Sequence, residues 1–504
     1  MTTQQPAAPV ERVTYGNLRA PRRPGVLGMG MAASVLVGVA AVIVVIMLMG
    51  FGLIAAAIAL VVSVLVLTPM IVQGPDGHSG YQRLLGRVVF RHAAKAGHTT
   101  YLAGATGQTP DGRTRLPGLL AQSELLEAVD AYGDAYGVLH TPGVDHYAAV
   151  LQSEAAGNDL VDQSVTDSAV AHWGGWMAHL GQQPDILAAT VTIETAPDPG
   201  TRLVRMVKRH TQDSAPEFSL ATLDEITTQY PAASSTTSTR IALTFSSRPR
   251  PGEDKRSQED VLADLGRRLP GLRQGLRTTG AGTTVRMMTA ADLTDAVRVA
   301  YDPSVAQLVE EQRGQGGTGL AWSEAGPAFA HDLPEHYAHD GAFSIVWQMR
   351  EAPPGVFYDN SLKSLLAPHS DIARKRVTLI YRPQSAETAR RMVERDVRDA
   401  RTQASARTRP QAHDATMLRS AEKAAQEEAQ GAGLVRFGII VTATVTDEAQ
   451  LPRAASTISM LTAPTKLRLR LARYNQAASF AAGLPLGLVL PTHLALPEWA
   501  RDTL

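Results

Sequence analysis

The sequence predicts a mixed chain of α+β or α/β class, with an N-terminal transmembrane helical hairpin followed by a cytoplasmic domain of two α/β sandwich-like subdomains. Two observations carry this expectation. Residues 26–72 form an apolar run, and no Asp, Glu, Lys, Arg or His occurs from Pro24 through Pro75. Beyond it, strand-type and helix-type patterns alternate in two successive rounds, the signature of helices covering a sheet. Composition agrees: 44% of the 504 residues are hydrophobic, enough for real cores.

Crossing a hydrocarbon core of ~30 Å takes ~20 apolar helical residues, so the run is long enough for two spans. Gly50-Phe51-Gly52 is the natural turn, which gives Val26–Met49 and Leu53–Val72 as the spans. Arg12, Arg19, Arg22 and Arg23 precede the run, and Arg83, Arg87, Arg91 and Lys95 follow it. Flanking positive charge marks the cytoplasmic side, which predicts a two-span protein of the cytoplasmic membrane with both termini in the cytoplasm. Residues 1–25, polar and proline-rich, read as a flexible tail. Residues 73–112 read as a juxtamembrane amphipathic helix and linker. The helix over Tyr81–Ala96 sets Leu84, Leu85, Val88 and Val89 against Arg83, Arg87 and Arg91. It would either lie in a lipid interface or pack as a connector on the next domain.

The first subdomain is placed at 113–320. Short extended runs fall at Glu124–Val129, Ala135–His140 and His146–Ser153, the last two around a Thr141-Pro142-Gly143 turn. Asn158–Gly181 has helical spacing and Ile186–Thr195 alternates as a strand. A helix around Leu220–Tyr230, a strand at Arg240–Phe245 and a helix at Ser257–Thr278, broken or kinked at Pro270, follow. Thr284–Met288 and Ala290–Ala300 close the round as strand and helix. Gly314–Gly319 punctuates the chain. The second subdomain, 321–504, has strands at Ala342–Met349, Arg376–Arg382 and Leu434–Val445. Ser385–Arg401 and Met417–Gln430 are charged helices interrupted at Pro410, and Glu448–Thr462 is a further helix. Lys466–Leu471 alternates Lys or Arg with Leu like an edge strand, and Tyr474–Leu496 is apolar and broken by glycine and proline. This order suggests subdomains of ferredoxin-like type.

Charge and cysteine content exclude several classes. With 48 basic and 48 acidic residues there is no global argument for nucleic-acid binding. With no cysteine there is no disulfide, thiolate catalysis, Cys zinc site or iron–sulfur cluster. Gly314–Gly319 lacks the Lys of a phosphate-binding loop. Gly77-His78-Ser79-Gly80 does not satisfy Gly-x-Ser-x-Gly.

The His and acid cluster of His331, Asp332, Glu335, His336, His339 and Asp340 is the place to test for a metal. His331 and His336 are five apart, and Pro334 disturbs any helix through them, so a solvated loop is preferred to a zinc site. His172 and His179 flank Trp173 and Trp176 on one helix and read as packing. Lys466, Arg468 and Arg470, extended by Arg473, form a basic stripe. It reads as the solvated face of an edge strand, with binding to nucleic acid or lipid phosphate as the alternative. No catalytic, cofactor-binding or metal residue is assigned, and no cofactor is expected.

The C-terminal order carries a resemblance. A charged helical stretch at Ser385–Gln430 leads to the strand Leu434–Val445, an acidic turn at Thr446-Asp447-Glu448, a helix, the basic strand, then Gln476 and Leu484-Pro485-Leu486-Gly487. This resembles the end of the N-terminal, non-catalytic domain of VirB4-type ATPases of type IV (conjugation) secretion, where a Gln-containing segment and a Leu-Pro-Leu-Gly-like tetrapeptide precede the ATP-binding half. The hairpin resembles the two-span VirB3-type partner sometimes fused to them. Actinobacterial conjugative elements encode membrane proteins of such layout, and the E component of type VII (ESX) secretion is more distantly similar.

The resemblance implies a non-catalytic, membrane-anchored structural component of a secretion or DNA-transfer complex, with the bilayer, a separate VirB4-type ATPase and other membrane subunits as partners in a homo- or hetero-oligomer. A type VII-like component and a membrane-anchored metal-dependent hydrolase using His331, Glu335 and His336 are the alternatives.

Overall fold

A computed structural model describes residues 31–494 except 73, 75–76, 78, 105–106, 108–114, 156, 158–160, 199–200, 213, 234, 250–253, 255, 283, 352–357 and 407–411. The expected tail at 1–25 lies outside the described residues.

The apolar run folds as two helices, α1 (Met31–Phe51) and α2 (Leu53–Ile71), joined at Gly52, whose φ of 84° suits a residue without a side chain. Their reading as membrane spans is corrected. Among the described residues no helix is long and apolar enough to cross a membrane. The two-span location, the cytoplasmic-membrane assignment and the bilayer anchor go with that reading. The hairpin's side chains stay largely uncovered, with Met49 85% and Leu53 79% exposed.

Helix α3 (Gly80–Lys95) starts at a capping box, in which Ser79 Oγ accepts from the Gln82 amide and Gln82 Oε1 accepts from the Ser79 amide. It links the hairpin to the body. Tyr81 Oη donates to the Val66 carbonyl (3.1 Å), and Arg87 Nε donates to Tyr474 Oη (3.3 Å) beside a Phe90–Tyr474 ring contact. None of its side chains is buried, and Leu84, Leu85, Val88 and Val89 are exposed.

Beyond α3 the chain builds one antiparallel sheet, where two separate sandwiches were expected. Strands β1 (Thr100–Leu102) and β2 (Glu124–Val129) come first. Then β3 (Ala135–Thr141), β4 (His146–Ser153), α4 (Gln163–Gly181), β5 (Ile186–Pro197), the helical hairpin α5 (Thr201–His210) and α6 (Glu217–Ala233), β6 (Ser235–Ser246), α7 (Gln258–Gly275), β7 (Val285–Met287) and α8 (Ala290–Tyr301) make a first repeat. After α9 (Ala306–Arg313) and β8 (Phe329–Asp332) the pattern recurs. The second repeat is β9 (Tyr337–His339), β10 (Ala342–Glu351), α10 (Lys363–Leu366), β11 (Arg374–Pro383), the helical hairpin α11 (Ala386–Ala406) and α12 (Ala412–Ala429), β12 (Val435–Val445), α13 (Leu451–Thr462), β13 (Arg468–Leu471) and α14 (Gln476–Ala482).

The 13-stranded sheet runs β1-β8-β9-β10-β12-β11-β5-β6-β4-β3-β2, with β13 added on β10 and β7 on β4. The pairings repeat as well: β4 pairs with β3, β6 and β7, and β6 with β5, just as β10 pairs with β9, β13 and β12, and β12 with β11. Each repeat thus has a split βαβ order. The repeats meet where β5 pairs antiparallel with β11, and Thr192 faces Thr378 there with their hydroxyls 3.1 Å apart.

Side chains alternate between two covered faces along the strands: in β4, Ala148 and Val150 join one cluster and Tyr147, Ala149 and Leu151 the other. One face packs α4 and α7 through Trp176, Leu180, Leu265 and Leu269 onto Leu151, Ile241 and Leu243. The same face of the second repeat packs α10 and α13 through Leu365, Leu451 and Ile458 onto Val377 and Val441. The opposite face is covered by α8, α14 and residues 484–488, through Tyr301, Phe480, Leu484 and Leu486. Pro270 sits inside α7 without ending it.

Candidate functional site

The covered face is polar along the line where the repeats meet. Glu194 of β5 lies opposite Arg376 of β11, and Arg374 and Arg240 of β6 reach the same carboxylate. Arg374 Nη1 donates to Glu194 Oε1 at 2.6 Å; Arg240 Nη1 is 3.6 Å from Oε1 and Arg376 Nη1 is 3.8 Å from Oε2. Arg376 is 1% exposed, and its guanidinium lies over the Phe480 ring at 4.6 Å. Not one of its three guanidinium nitrogens is hydrogen-bonded, and the Nε atoms of Arg240 and Arg374 are also unbonded.

One carboxylate therefore serves three buried guanidiniums. Burial pushes the Glu194 carboxyl up, but Arg374, Arg240 and Arg376 outweigh it and hold it at about 2. Burial draws Arg376 down to about 10 despite Glu194, which leaves it charged at neutral pH. Arg240 is likewise lowered by burial against the pull of Glu194.

Phe480 anchors an aromatic cluster beside the arginines, with Tyr301, Tyr337 and His339 rings 5.1, 5.3 and 4.8 Å away. His339 Nδ1 donates to the Tyr301 carbonyl, so its Nε2 accepts from Ser344 Oγ at 2.8 Å, which in turn accepts from Thr444 Oγ1 at 2.8 Å. Burial lowers His339 to about 4, so the ring is neutral.

The segment over this face is held from both repeats. Gln476, fully buried, accepts from the Val346 amide (2.8 Å) and donates to the Val346 carbonyl (3.3 Å), replacing a strand neighbour. Thr378 Oγ1 donates to the Gly483 carbonyl at 2.9 Å, and Thr244 Oγ1 donates to the Gly487 carbonyl at 2.6 Å. The stretch Leu484–Gly487 thereby straps β11 to β6.

The residues singled out by sequence are used structurally. Asp332 accepts from the Ala477 amide (3.0 Å), and burial lifts it to about 6. Asp340 accepts from the Ala328 and Phe329 amides and pairs with Arg298 at 2.9 Å. Glu335 pairs with Arg473 (2.9 Å), and His336 lies 3.5 Å from Glu448. His331 is on β8, where it pairs with Ala338 of β9. Among the described residues no group of three or more His, Asp or Glu could hold a metal. In the basic stripe, Arg468 pairs with Glu351 at 3.0 Å. Lys466 precedes β13 in a left-handed turn, with φ of 57°.

Trp173 stacks on Trp176, whose indole donates to the Leu272 carbonyl at 3.1 Å; His172 contacts Ser168 within α4, and His179 contacts Gln183 just past its end. Of Gly77-His78-Ser79-Gly80, His78 lies outside the described residues and Ser79 is a helix cap. Sequence reasoning passed over the arginine cluster. Its signal was present as charges at inward positions of Val- and Thr-rich strands, but strand pairing was needed to bring them together.

Both helical hairpins interrupt the same strand-to-strand connection in their repeats. Because β5 and β11 are antiparallel, the two hairpins leave opposite ends of the strand pair. The α5–α6 hairpin shows apolar side chains to solvent, with Phe218 84% and Met206 64% exposed. The α11–α12 hairpin closes on Ala389, Val393, Ala400 and Ala421, and its outside carries charge pairs such as Arg401–Glu422 at 3.1 Å.

Residues 22–82 match a family described as a domain of unknown function (DUF8461). The match covers the α1–α2 hairpin and the start of α3. No curated protein matches the chain.

Proposed function

We infer that the chain is a non-catalytic structural subunit of a bacterial secretion or conjugative DNA-transfer complex, one that docks a separate ATPase through its sheet-bearing part. The observation that carries this reading is the pair of helical hairpins inserted at equivalent places in a duplicated sheet. One offers an uncovered apolar surface around Met206 and Phe218, and the other a charged surface. Uncovered apolar side chains of this size are typical of surfaces that meet a partner. The resemblance of the C-terminal order to the non-catalytic domain of VirB4-type ATPases supplies the class of partner. In that reading the docked motor provides the ATP-binding half on another polypeptide.

The test is affinity purification of the tagged full chain from cells that make it, with identification of the proteins that accompany it. A P-loop ATPase should co-purify, and a Met206→Asp, Phe218→Asp double variant should lose most of it while keeping the same circular dichroism. Repeated purifications that contain no such ATPase sink the proposal.

A further inference from the structure

We propose that the junction between the repeats is a binding site for a doubly charged oxyanion of the phosphoryl class, held by Arg240, Arg374 and Arg376. This goes beyond the scaffold reading and does not depend on it. The first ground is charge. Three guanidiniums and one carboxylate leave two surplus positive charges where side-chain exposure is 1% for Arg376, 11% for Arg374 and 12% for Arg240. A buried charge without a partner is strongly unfavourable, and Glu194 balances only one of the three.

The second ground is unused donors. All three nitrogens of the Arg376 guanidinium lack a hydrogen bond, and so does Thr442 Oγ1, on the residue paired directly with Arg376 across β11 and β12. Water could meet those donors but would not cancel charge. Chloride would cancel one charge without offering several acceptor oxygens. A tetrahedral dianion does both, and the planar fork of arginine suits it.

The third ground is placement. The Arg376 guanidinium, the most buried of the three, lies over the Phe480 ring at 4.6 Å. The partly exposed Arg240 and Arg374 mark the end that solvent reaches. Inorganic phosphate and a phosphomonoester on a larger molecule share the required chemistry.

Thermal unfolding and calorimetric titration of the full chain, at fixed ionic strength, test this with inorganic phosphate, phenyl phosphate and chloride. Saturable binding and stabilisation are expected with a phosphoryl compound and not with chloride. Arg240→Gln should weaken that binding roughly tenfold, and Glu194→Gln, which removes the competing carboxylate, should strengthen it roughly tenfold. If Glu194→Gln does not fold, Arg240→Gln decides alone. Tighter phenyl phosphate would support a phosphomonoester as ligand, and tighter phosphate the free ion. Equal responses to phosphate and chloride, or an Arg240→Gln affinity equal to that of the parent protein, would overturn the proposal.

Discussion

The two sides of the Thr192–Thr378 contact have the same backbone and opposite chemistry. Thr192 faces Arg240 and Thr378 faces Ile440; Gln152 faces Arg240 and Gln348 faces Ile440. Superposing the repeats on this register sets Thr244 on Thr444 and Gln152 on Gln348. The same superposition sets Arg240 on Ile440, Arg376 on Thr190, Glu194 on Ile380 and Arg374 on Ala188. Every member of the charged cluster thus has an uncharged counterpart across the junction. The backbone does not need these charges, since the other side builds the same strand pairing without them. A repeated fold has been made chemically one-sided, and that one-sidedness locates the site better than any local motif.

The largest effect should come from breaking the balance on the charged side. Glu194→Ile, which installs the counterpart residue alone, should cost about 3–5 kcal/mol by leaving three buried guanidiniums unmatched. The fourfold variant Glu194→Ile, Arg240→Ile, Arg376→Thr, Arg374→Ala should recover that loss and end within a few kcal/mol of the parent, because whole buried ion clusters are often replaceable by packing. Denaturant midpoints at pH 7 compare the two. A fourfold variant no more stable than the single one would show that the two sides are not equivalent.

Acid titration comes next. The folded value of Glu194 near 2 lies below its ordinary 4.5, so its stabilisation is complete above 4.5 and is lost as pH falls from there toward 2. That loss should total about 3 kcal/mol and vanish in Glu194→Gln, while Ile380→Val on the uncharged side should leave it intact. His339 acts at higher pH. Its value of about 4 lies below the ordinary 6.5, so its contribution is present above 6.5 and is lost as pH falls toward 4. His339→Gln should flatten that window alone.

The strap gives a middle-sized contrast. Gly487 has φ of 69° and a Cβ there would lie 2.4 Å from Thr244 Oγ1, whereas a Cβ at Gly483 would meet Thr442 Oγ1 at 3.0 Å with an ordinary backbone. Gly487→Ala should cost about 2–3 kcal/mol and Gly483→Ala about 1 kcal/mol. Smaller still, Ile440→Val should cost about 1 kcal/mol, against under ~0.5 kcal/mol for Arg401→Ala on the exposed α11–α12 surface. Thermal melts rank all four.

Much of the element order was legible because local pattern determines it. Ile186–Thr195 and Leu434–Val445, read as strands from their β-branched residues, are the cores of β5 and β12. Ala290–Ala300 and Glu448–Thr462 were equally clear as helices, corresponding to α8 and to a short turn followed by α13. Of the break or kink expected at Pro270, the break does not occur: α7 continues through the proline, which is buried with Leu265, Leu269 and Leu272 against the sheet. Helix α5 is absent from the expected elements, since its short Thr201–His210 run carries four Lys or Arg residues and lies among loop-like flanks.

Pairing was beyond reach. Nothing local says that Ile186–Pro197 lies beside Arg374–Pro383, so a continuous sheet could not be told from two separate ones. The arginine cluster was invisible for the same reason, as Glu194 and Arg376 are 182 residues apart and become neighbours only through that register. The hairpin shows the reverse error, a strong local signal read past what the helices themselves support.

The strap also sets an order in time. All strands of both repeats have been synthesised by Leu471, yet the face bearing Arg376 closes only when Gln476 through Leu488 has emerged and settled across it. At typical rates of synthesis the ~20 residues concerned take roughly one to four seconds. During that interval the repeats are already joined by the β5–β11 pairing and by contacts such as Arg298–Asp340, but the arginines lack the cover of Phe480. The stretch that bonds to Thr378 and Thr244 is therefore the last addition to a pair of repeats already in register.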